Sequence, residues 1–237
     1  MRSQTAVEDY VKTIYAHTEW QPAPIMPSEL ATRLGLAASS VTEMVKKLAA
    51  QGLITHVPYG SVTLTADGEA MALRMLRRHR LIETWLVRQY GYGWDEVHEE
   101  AEVLEHALSD RLLAVIDEQL GFPTRDPHGD PIPSAAGSMA RPSGVLLRDV
   151  GDGVRGRVTR ISDRDPELLR HLKAESVTVD RELMVVGRRP FGGVLVVRLN
   201  GMTRDLDLGD MASAAIWIFE DRAAVVTRAG VEDPPAQ

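Results

Sequence analysis

His98, Glu102, Glu105 and His106 fall within the nine residues HEEAEVLEH, 98–106. If that stretch is one helix, their i, i+4, i+7 and i+8 spacing gathers them on roughly one third of its circumference, at about 3.6 residues per turn. Val103 and Leu104 then face the other way. Imidazole nitrogen and carboxylate oxygen are the donors expected around a borderline-to-hard divalent ion such as Mn, Fe, Co or Zn. The competing reading is an acidic, solvated helix face, which is how Glu99 and Glu100 read. Two further groups bear on the choice. His79 and Glu83 repeat the i, i+4 spacing in RRHRLIETW, and Asp9 lies beside Glu8 on a first helix. Three helices that should pack together each carry acidic or imidazole groups.

The elements that must position these residues follow from periodicity. AVEDYVKTIYAH, 6–17, repeats apolar groups at Val7, Tyr10, Val11, Ile14 and Tyr15 and predicts a helix. TEWQPAPIMP is a proline-punctuated loop, and SELATRLG predicts a short helix with Ser28 as N-cap and Gly35 as its stop. A second short helix spans about Ala38–Ala50, with Val41, Met44, Val45 and Leu48 on one face. THVPYGSVTLT then alternates Val62 and Leu64 around a Tyr59-Gly60 turn and predicts a β-hairpin. Two short helices and a hairpin make a winged helix-turn-helix pattern. A long helix from Ala66 to about Tyr90 follows, then a helix or helix pair closed by Gly121. Residues 122–146 are rich in Pro, Gly and Ser and mark a domain boundary. Beyond them GRVTRIS, ELMVVGRR, GVLVVRLNG and AAIWIFE read as strands around one short helix, DPELLRHLK, a small β-barrel-like domain. The fold class expected is mainly α with a β C-terminal part. No internal repeat or catalytic fingerprint is present.

Composition narrows the function. The 237 residues contain no cysteine, which excludes disulfides, thiolate zinc sites, iron–sulfur clusters and cysteine nucleophiles. The N-terminus lacks an apolar signal-peptide core and no apolar run approaches a membrane span, so a cytoplasmic location is expected. The net charge of −7 is unevenly spread: residues 1–80 hold nine Lys/Arg against seven Asp/Glu, and residues 81–140 hold three against twelve. A DNA-binding N-terminal part joined to an acidic, cation-seeking middle fits that asymmetry. On the second short helix, Ser39, Ser40, Thr42, Glu43, Lys46 and Lys47 form the solvent face. Short hydroxyls at a helix N-terminus can enter a major groove while lysines reach the phosphates. Two lysines are few, which points to a dimer on a two-fold operator.

RRHRLIETWL, WDEVHEEAEVLEHALSD and GFPTRDPHGDPIP resemble the diphtheria toxin repressor family of metal-activated regulators, most closely its manganese transport regulator branch. The resemblance covers most of the chain. It implies a winged helix-turn-helix domain over 1–74 and a helical dimerisation and metal-binding domain over 75–133. A linker over 134–148 and an SH3-like domain over 149–222 complete the arrangement. It implies a primary metal site of Asp9, Glu102, Glu105 and His106, and an ancillary site of His79, Glu83 and His98. Oxygens of the C-terminal domain would complete the latter, with Asp163 and Glu167 in SDRDPELL as candidates and Asp165 as a plain helix N-cap. Iron-responsive members have cysteine where this chain has Glu102 and methionine where it has Asp9. The small two-domain manganese regulators have glutamate where it has Lys12, so their paired-ion arrangement should not form.

The function implied is a manganese-activated, homodimeric repressor of metal uptake genes, with iron or another divalent ion (Fe(II), Co(II), Zn(II)) as the alternative activator. Its partners are double-stranded DNA and a second copy of the chain, with no membrane and no organic substrate. A metal-dependent hydrolase is the reading from another class. HEEAE and EVLEH each lack the second histidine of the zincin and inverzincin motifs, so an enzyme is not expected. A winged-helix regulator of a small organic effector would leave the ligand spacing unexplained. His128 reads as a turn residue and Trp85 and Trp94 as core or interface anchors; His56 and His171 take no role.

Overall fold

A computed structural model describes residues 2–20, 23–57, 60–140, 144–191 and 193–221. Helix α1 spans Arg2–Thr18, α2 Pro27–Leu34 and α3 Ala38–Ala50; β1 (Ile54–His56) and β2 (Val62–Leu64) form the wing. Helix α4 is Ala66–Tyr90, α5 Val97–Leu104 and α6 Asp110–Gln119. The remainder contains β3 (Val145–Leu146), a 3-10 turn at Leu147–Asp149, β4 (Arg155–Ile161), α7 (Pro166–Ala174), β5 (Glu182–Arg188), β6 (Leu195–Leu199), β7 (Leu206–Leu208), α8 (Asp210–Ser213) and β8 (Ile216–Glu220). The chain divides into two compact units. The first comprises Met1–Tyr92, Val97–Asp126 and Asp130–Pro142; the second comprises Gly93–Glu96, Pro127–Gly129 and Ser143–Gln237.

In the first unit, Val7, Tyr10, Val11 and Ile14 of α1 pack with Leu30, Val41, Val45, Leu48, Ile54 and Val62 in the winged-helix core. The hairpin registers Ile54 opposite Leu64 and His56 opposite Val62; Tyr59, expected at its turn, lies outside the described residues. The first helix begins at Arg2, earlier than its apolar repeat indicates. Helix α2 begins at Pro27 with Met26 as N-cap, not Ser28. Proline at the first helical position has no N–H to satisfy and its fixed φ suits the turn, so no serine cap is required there. Gly35 does end α2, in the left-handed conformation at φ 64°.

Helix α4 is capped by Thr65, whose hydroxyl accepts from the Gly68 amide, and stops at Gly91. Its 25 residues pass unbroken from the winged-helix core, which holds Ala72, to two smaller cores holding Leu81 and Ile82. Trp85 packs against both of the latter. The segment after α4 is two helices. Helix α5 ends at Leu104, so Glu105 and His106 occupy a tight corner and do not share one straight helix face with His98 and Glu102. Ser109 closes the corner by accepting from the Leu112 amide at the start of α6.

The second unit is an SH3-like domain, in which described residues form an antiparallel sheet of order β3-β8-β4-β5-β6-β7. Bulges between Val158 and Arg160 and between Val185 and Gly187 bend β4 and β5. Trp94 is buried in its core with Leu147, Val158, Leu169 and Val197, consistent with an anchoring role. The two-residue β3 and three-residue β7 were too short to leave an alternating pattern.

Gly68 is the tightest backbone approach in the first unit: a β-carbon there would lie 1.9 Å from the Leu53 carbonyl oxygen. Backbone cannot yield as a side-chain tip can. Gly68→Ala is expected to destabilise the chain by about 1–3 kcal/mol, read as a lower urea midpoint with an unchanged slope. An unchanged midpoint would mean that α4 shifts freely against the wing.

Candidate metal centre

Helix α4 supplies the fixed part of the site. His79 and Glu83 lie one turn apart on its buried face, 5% and 1% exposed. His79 Nε2 is 3.0 Å from Glu83 Oε1 and 3.1 Å from His98 Nδ1, and His98 Nδ1 is 3.4 Å from the same Glu83 oxygen. Two imidazoles and a carboxylate therefore converge on one small volume. Val97 and Ala101, fully buried against Ile82 and Leu86, hold α5 so that His98 faces α4.

The corner after α5 builds a second convergence. Glu105 is fully buried, with Oε2 2.6 Å from His79 Nδ1 and Oε1 2.5 Å from Lys12 Nζ. His106 points to α1, with Nε2 2.8 Å from Asp9 Oδ1 and Nδ1 3.0 Å from Glu8 Oε2. Asp9, Glu105 and His106 offer donor atoms all within 4.8 Å of one another, as do His79, Glu102 and Glu105. Glu102 groups with His79 and Glu105 and not with Asp9. Its carboxylate is 2.8 Å from Lys12 Nζ and 3.6 Å from His98 Nε2, and its side chain is 40% exposed. Glu8 and Lys12 went unassigned as site residues in the sequence. Glu8 precedes Asp9, and only the bend at the corner lets His106 reach both.

Charge decides how these groups coexist. Burial works against a charged Glu105, but the hydrogen bond and charge of His79 and the Lys12 ammonium overcome it and hold its carboxyl below the usual range. Burial likewise opposes a charged His79, yet the Glu83 carboxylate and the Glu105 hydrogen bond push its imidazole up to about 10. Lys12 is raised as well, its burial outweighed by Glu105 and Glu102. Asp9 is raised because burial outweighs the pull of His106. The acidic groups thus do not stand in uncompensated repulsion: cations from α1 and α4 are interleaved with them.

The other end of α1 is fixed independently. Arg80, 5% exposed, forks onto Glu19 at 3.0 and 2.6 Å and donates to the Pro131 carbonyl at 2.6 Å. Trp20 Nε1 donates to Asp130 at 2.8 Å. Helix α1 is thereby held at its C-terminal end while Glu8 and Asp9 meet the corner nearer its start.

Remaining candidates separate by unit. Asp163 and Glu167 belong to the second unit, Asp163 half-buried before α7 and Glu167 exposed in its first turn. Asp165 is the N-cap, accepting from the Glu167 and Leu168 amides. His128 is more than a turn residue: it is fully buried, with Nε2 2.7 Å from the Trp94 carbonyl oxygen and its ring stacked on that indole. His171 is exposed on α7, and His56 is half-buried at the wing. On α3, Ser39, Ser40, Thr42, Glu43 and Lys46 are exposed and Lys47 is half-buried; Lys46 pairs with Glu43 at 2.8 Å. That face can meet a nucleic-acid groove.

The donor set fits a divalent cation. It contains only imidazole nitrogens and carboxylate oxygens, from groups that burial would penalise unless a cation or proton stood among them. The second ring nitrogen of His79 is engaged by a carboxylate, an outer-shell contact typical of metal-ligating histidines.

Family models match along the chain. Residues 4–62 match "Iron dependent repressor, N-terminal DNA binding domain" and 65–134 match "Iron dependent repressor, metal binding and dimerisation domain". Residues 145–218 match the FeoA domain. The diphtheria toxin repressor of Corynebacterium efficiens is 30% identical over 87% of this chain and 92% of its own length. An iron-dependent repressor of Mycobacterium leprae is 31% identical over 80% and 87%. Among solved structures, a manganese-dependent transcriptional repressor in complex with manganese is 48% identical, covers 90% of this chain and 99% of that one, and has a TM-score of 0.86. The manganese regulator SloR is 31% identical over 90% and 98%, with a TM-score of 0.76. With a winged helix, a nitrogen and oxygen donor cluster and these relatives, the chain belongs to the diphtheria toxin repressor family of metal-dependent, DNA-binding transcriptional repressors, which are not enzymes.

Proposed function

We propose that manganese(II) is the activating ion, that the active species is a homodimer on a two-fold operator, and that the regulated genes serve metal uptake. The observation that carries the first point is the sulfur-free donor set spanning α1, α4 and the corner after α5. Manganese(II) stands at the weak end of the Irving–Williams order, so selection must come from ligand hardness and coordination number. Asp9, Glu105 and His106 would hold the primary ion, and Glu102 would complete the set on turning from Lys12, with which it pairs here. His79, Glu83 and His98 would hold an ancillary one. A bound divalent ion supplies positive charge and fixed ligand directions. The chain's own part is to let one binding event engage α1 and the corner together, which favours the α1 position compatible with DNA. Operator binding titrated with Mn(II), and reversed with EDTA, tests the reading directly. Sedimentation of the complex should count two copies, or a multiple, per operator.

Glu102 is the residue on which the choice of metal turns. Glu102→Cys should shift activation toward Fe(II), Co(II) or Ni(II) and weaken the response to Mn(II), measured as the metal concentration needed for half-saturation of the operator. An unchanged metal ranking would remove Glu102 from the ligand set.

Asp9→Ala should uncouple the metal from DNA. Glu105 and His106 still offer donors, whereas the link to α1 is gone. A metal–DNA coupling of the usual ~5- to 150-fold size should fall toward unity while calorimetric Mn(II) affinity changes less. Wild-type values in both assays would exclude Asp9.

Protons should compete with the metal at His79. Its pKa is raised from 6.5 to about 10, so the stabilisation from its charged form is complete below 6.5 and lost as pH climbs through about 10. A ligating imidazole must be neutral. Without metal, the melting temperature should therefore fall over that window. Near neutral pH, calorimetry in buffers of different ionisation enthalpy should show proton release on Mn(II) binding, reduced in His79→Gln. Equal enthalpies in both buffers would contradict a charged His79.

A further inference from the structure

The arginines of RRHR on α4 do different work, and one of them bears on the metal centre. Arg77 pairs with Asp117 and donates to the Pro133 carbonyl, and Arg80 pairs with Glu19 and donates to the Pro131 carbonyl. Arg78 instead grips the corner itself. Its Nε donates to the Glu105 carbonyl oxygen at 2.8 Å, one terminal nitrogen donates to the Leu108 carbonyl oxygen, and the other meets Asp110 Oδ1 at 2.5 Å. The corner needs such a partner. Helix α5 ends at Leu104, the amides of Glu105, Ala107 and Leu108 close back onto Ala101 and Leu104, and carbonyls at a helix C-terminus lose their acceptor role within the helix. A planar guanidinium spreads its five donors over three nitrogens in a fixed fork and so reaches three separated acceptors, whereas an ammonium's three donors share one nitrogen on a flexible stem.

Glu105 is consequently held at both ends by adjacent residues of one helix: Arg78 takes its backbone carbonyl and His79 its carboxylate. The backbone contact fixes where the Glu105 side chain departs and where the next residue, His106, faces α1. We infer that Arg78 is a positioning residue for the primary metal site, acting through the corner that carries Glu105 and His106 and touching neither their donor atoms nor the ion. This rests on the reading of those two residues as ligands.

The experiment compares full-length wild type with Arg78→Met, Arg78→Lys, Asp110→Asn and Glu105→Gln. Mn(II) affinity is measured by calorimetry and the ligand field by the absorption spectrum of the Co(II)-loaded protein. Loss of an outer-shell contact lowers metal affinity by ~10- to 100-fold. Arg78→Met should lose that much in the binding class that Glu105→Gln also loses, with a changed Co(II) spectrum. Arg78→Lys should lose nearly as much, since it keeps the charge without the fork. Asp110→Asn should stay close to wild type, because Asp110 is almost fully solvated and its pairing with Arg78 is screened. Circular dichroism and melting curves verify folding, and should Arg78→Met not fold, Arg78→Lys carries the test. If Glu105→Gln loses a class and folded Arg78→Lys does not, the positioning role is overturned while the ligand reading stands. If Glu105→Gln binds as wild type does, both are overturned. A fall in melting temperature alone, with affinity and spectrum intact, would make Arg78 a plain helix cap and overturn the inference.

Discussion

A fully buried carboxylate, that of Glu105, is the constraint around which the first unit is arranged. An ionised carboxylate away from water costs several kcal/mol unless cations and hydrogen bonds surround it. Here Lys12 comes from α1 and His79 from α4, at 2.5 and 2.6 Å. Satisfying one charge thus draws three elements together, and the same convergence creates the places where a divalent ion would find oxygen and nitrogen donors. Stability and cation affinity are two consequences of one electrostatic requirement.

Helix α4 makes that convergence rigid. It passes from the winged-helix core to the helical cores without interruption, and its polar positions 77, 78, 79, 80 and 83 are mostly buried and each engaged. Displacement of α4 against the corner would break the Arg78 and His79 contacts simultaneously. Helix α1 differs. Its far end is tied through the forked Glu19–Arg80 pair and Trp20–Asp130, whereas the part bearing Glu8, Asp9 and Lys12 packs in the winged-helix core through Val7, Tyr10 and Val11 and meets the corner through charged contacts. Asp9 is 35% exposed on its side chain and sits at the boundary of that cluster. A change in the charge at the corner therefore acts on α1 at Glu8, Asp9 and Lys12, away from the Glu19–Arg80 pair.

Lys12 gives the cluster its particular character. An ammonium lodged between Glu102 and Glu105 is a permanent cation where a third N-terminal carboxylate would call for another ion. It offsets the repulsion that the neighbouring Glu102 and Glu105 carboxylates would otherwise exert on each other. Helix α1 is accordingly tethered to α5 and the corner by an ion pair as well as by the Asp9–His106 contact.

The order of the elements was legible in the residues, because buried positions at helical spacing in α1, α3 and α4 reflect a local rule. The bounds of α3 and α4 follow from it directly, and the i, i+4 pairing of His79 with Glu83 survives because both lie inside one uninterrupted helix. The short β3 and β7 were not legible, since two or three residues carry little period and, unlike β1 and β2, they are not joined to each other by a turn. Nor was the exit from α5. Helical spacing over 98–106 assumes that the helix continues, yet it ends at Leu104, and Arg78, 27 residues upstream of Glu105, holds the Glu105 and Leu108 carbonyls of the corner that follows. Residue type alone thus settled that hard and borderline donors, without sulfur, are present at Asp9, His79, Glu83, His98, Glu102, Glu105 and His106. Tertiary structure decided which of them meet: Glu105 with His79 and Lys12, His106 with Asp9 and Glu8, and Glu102 beside Lys12. The physical reason is that the pairing of these charges is set by contacts 26 to 98 residues apart, which local periodicity does not encode.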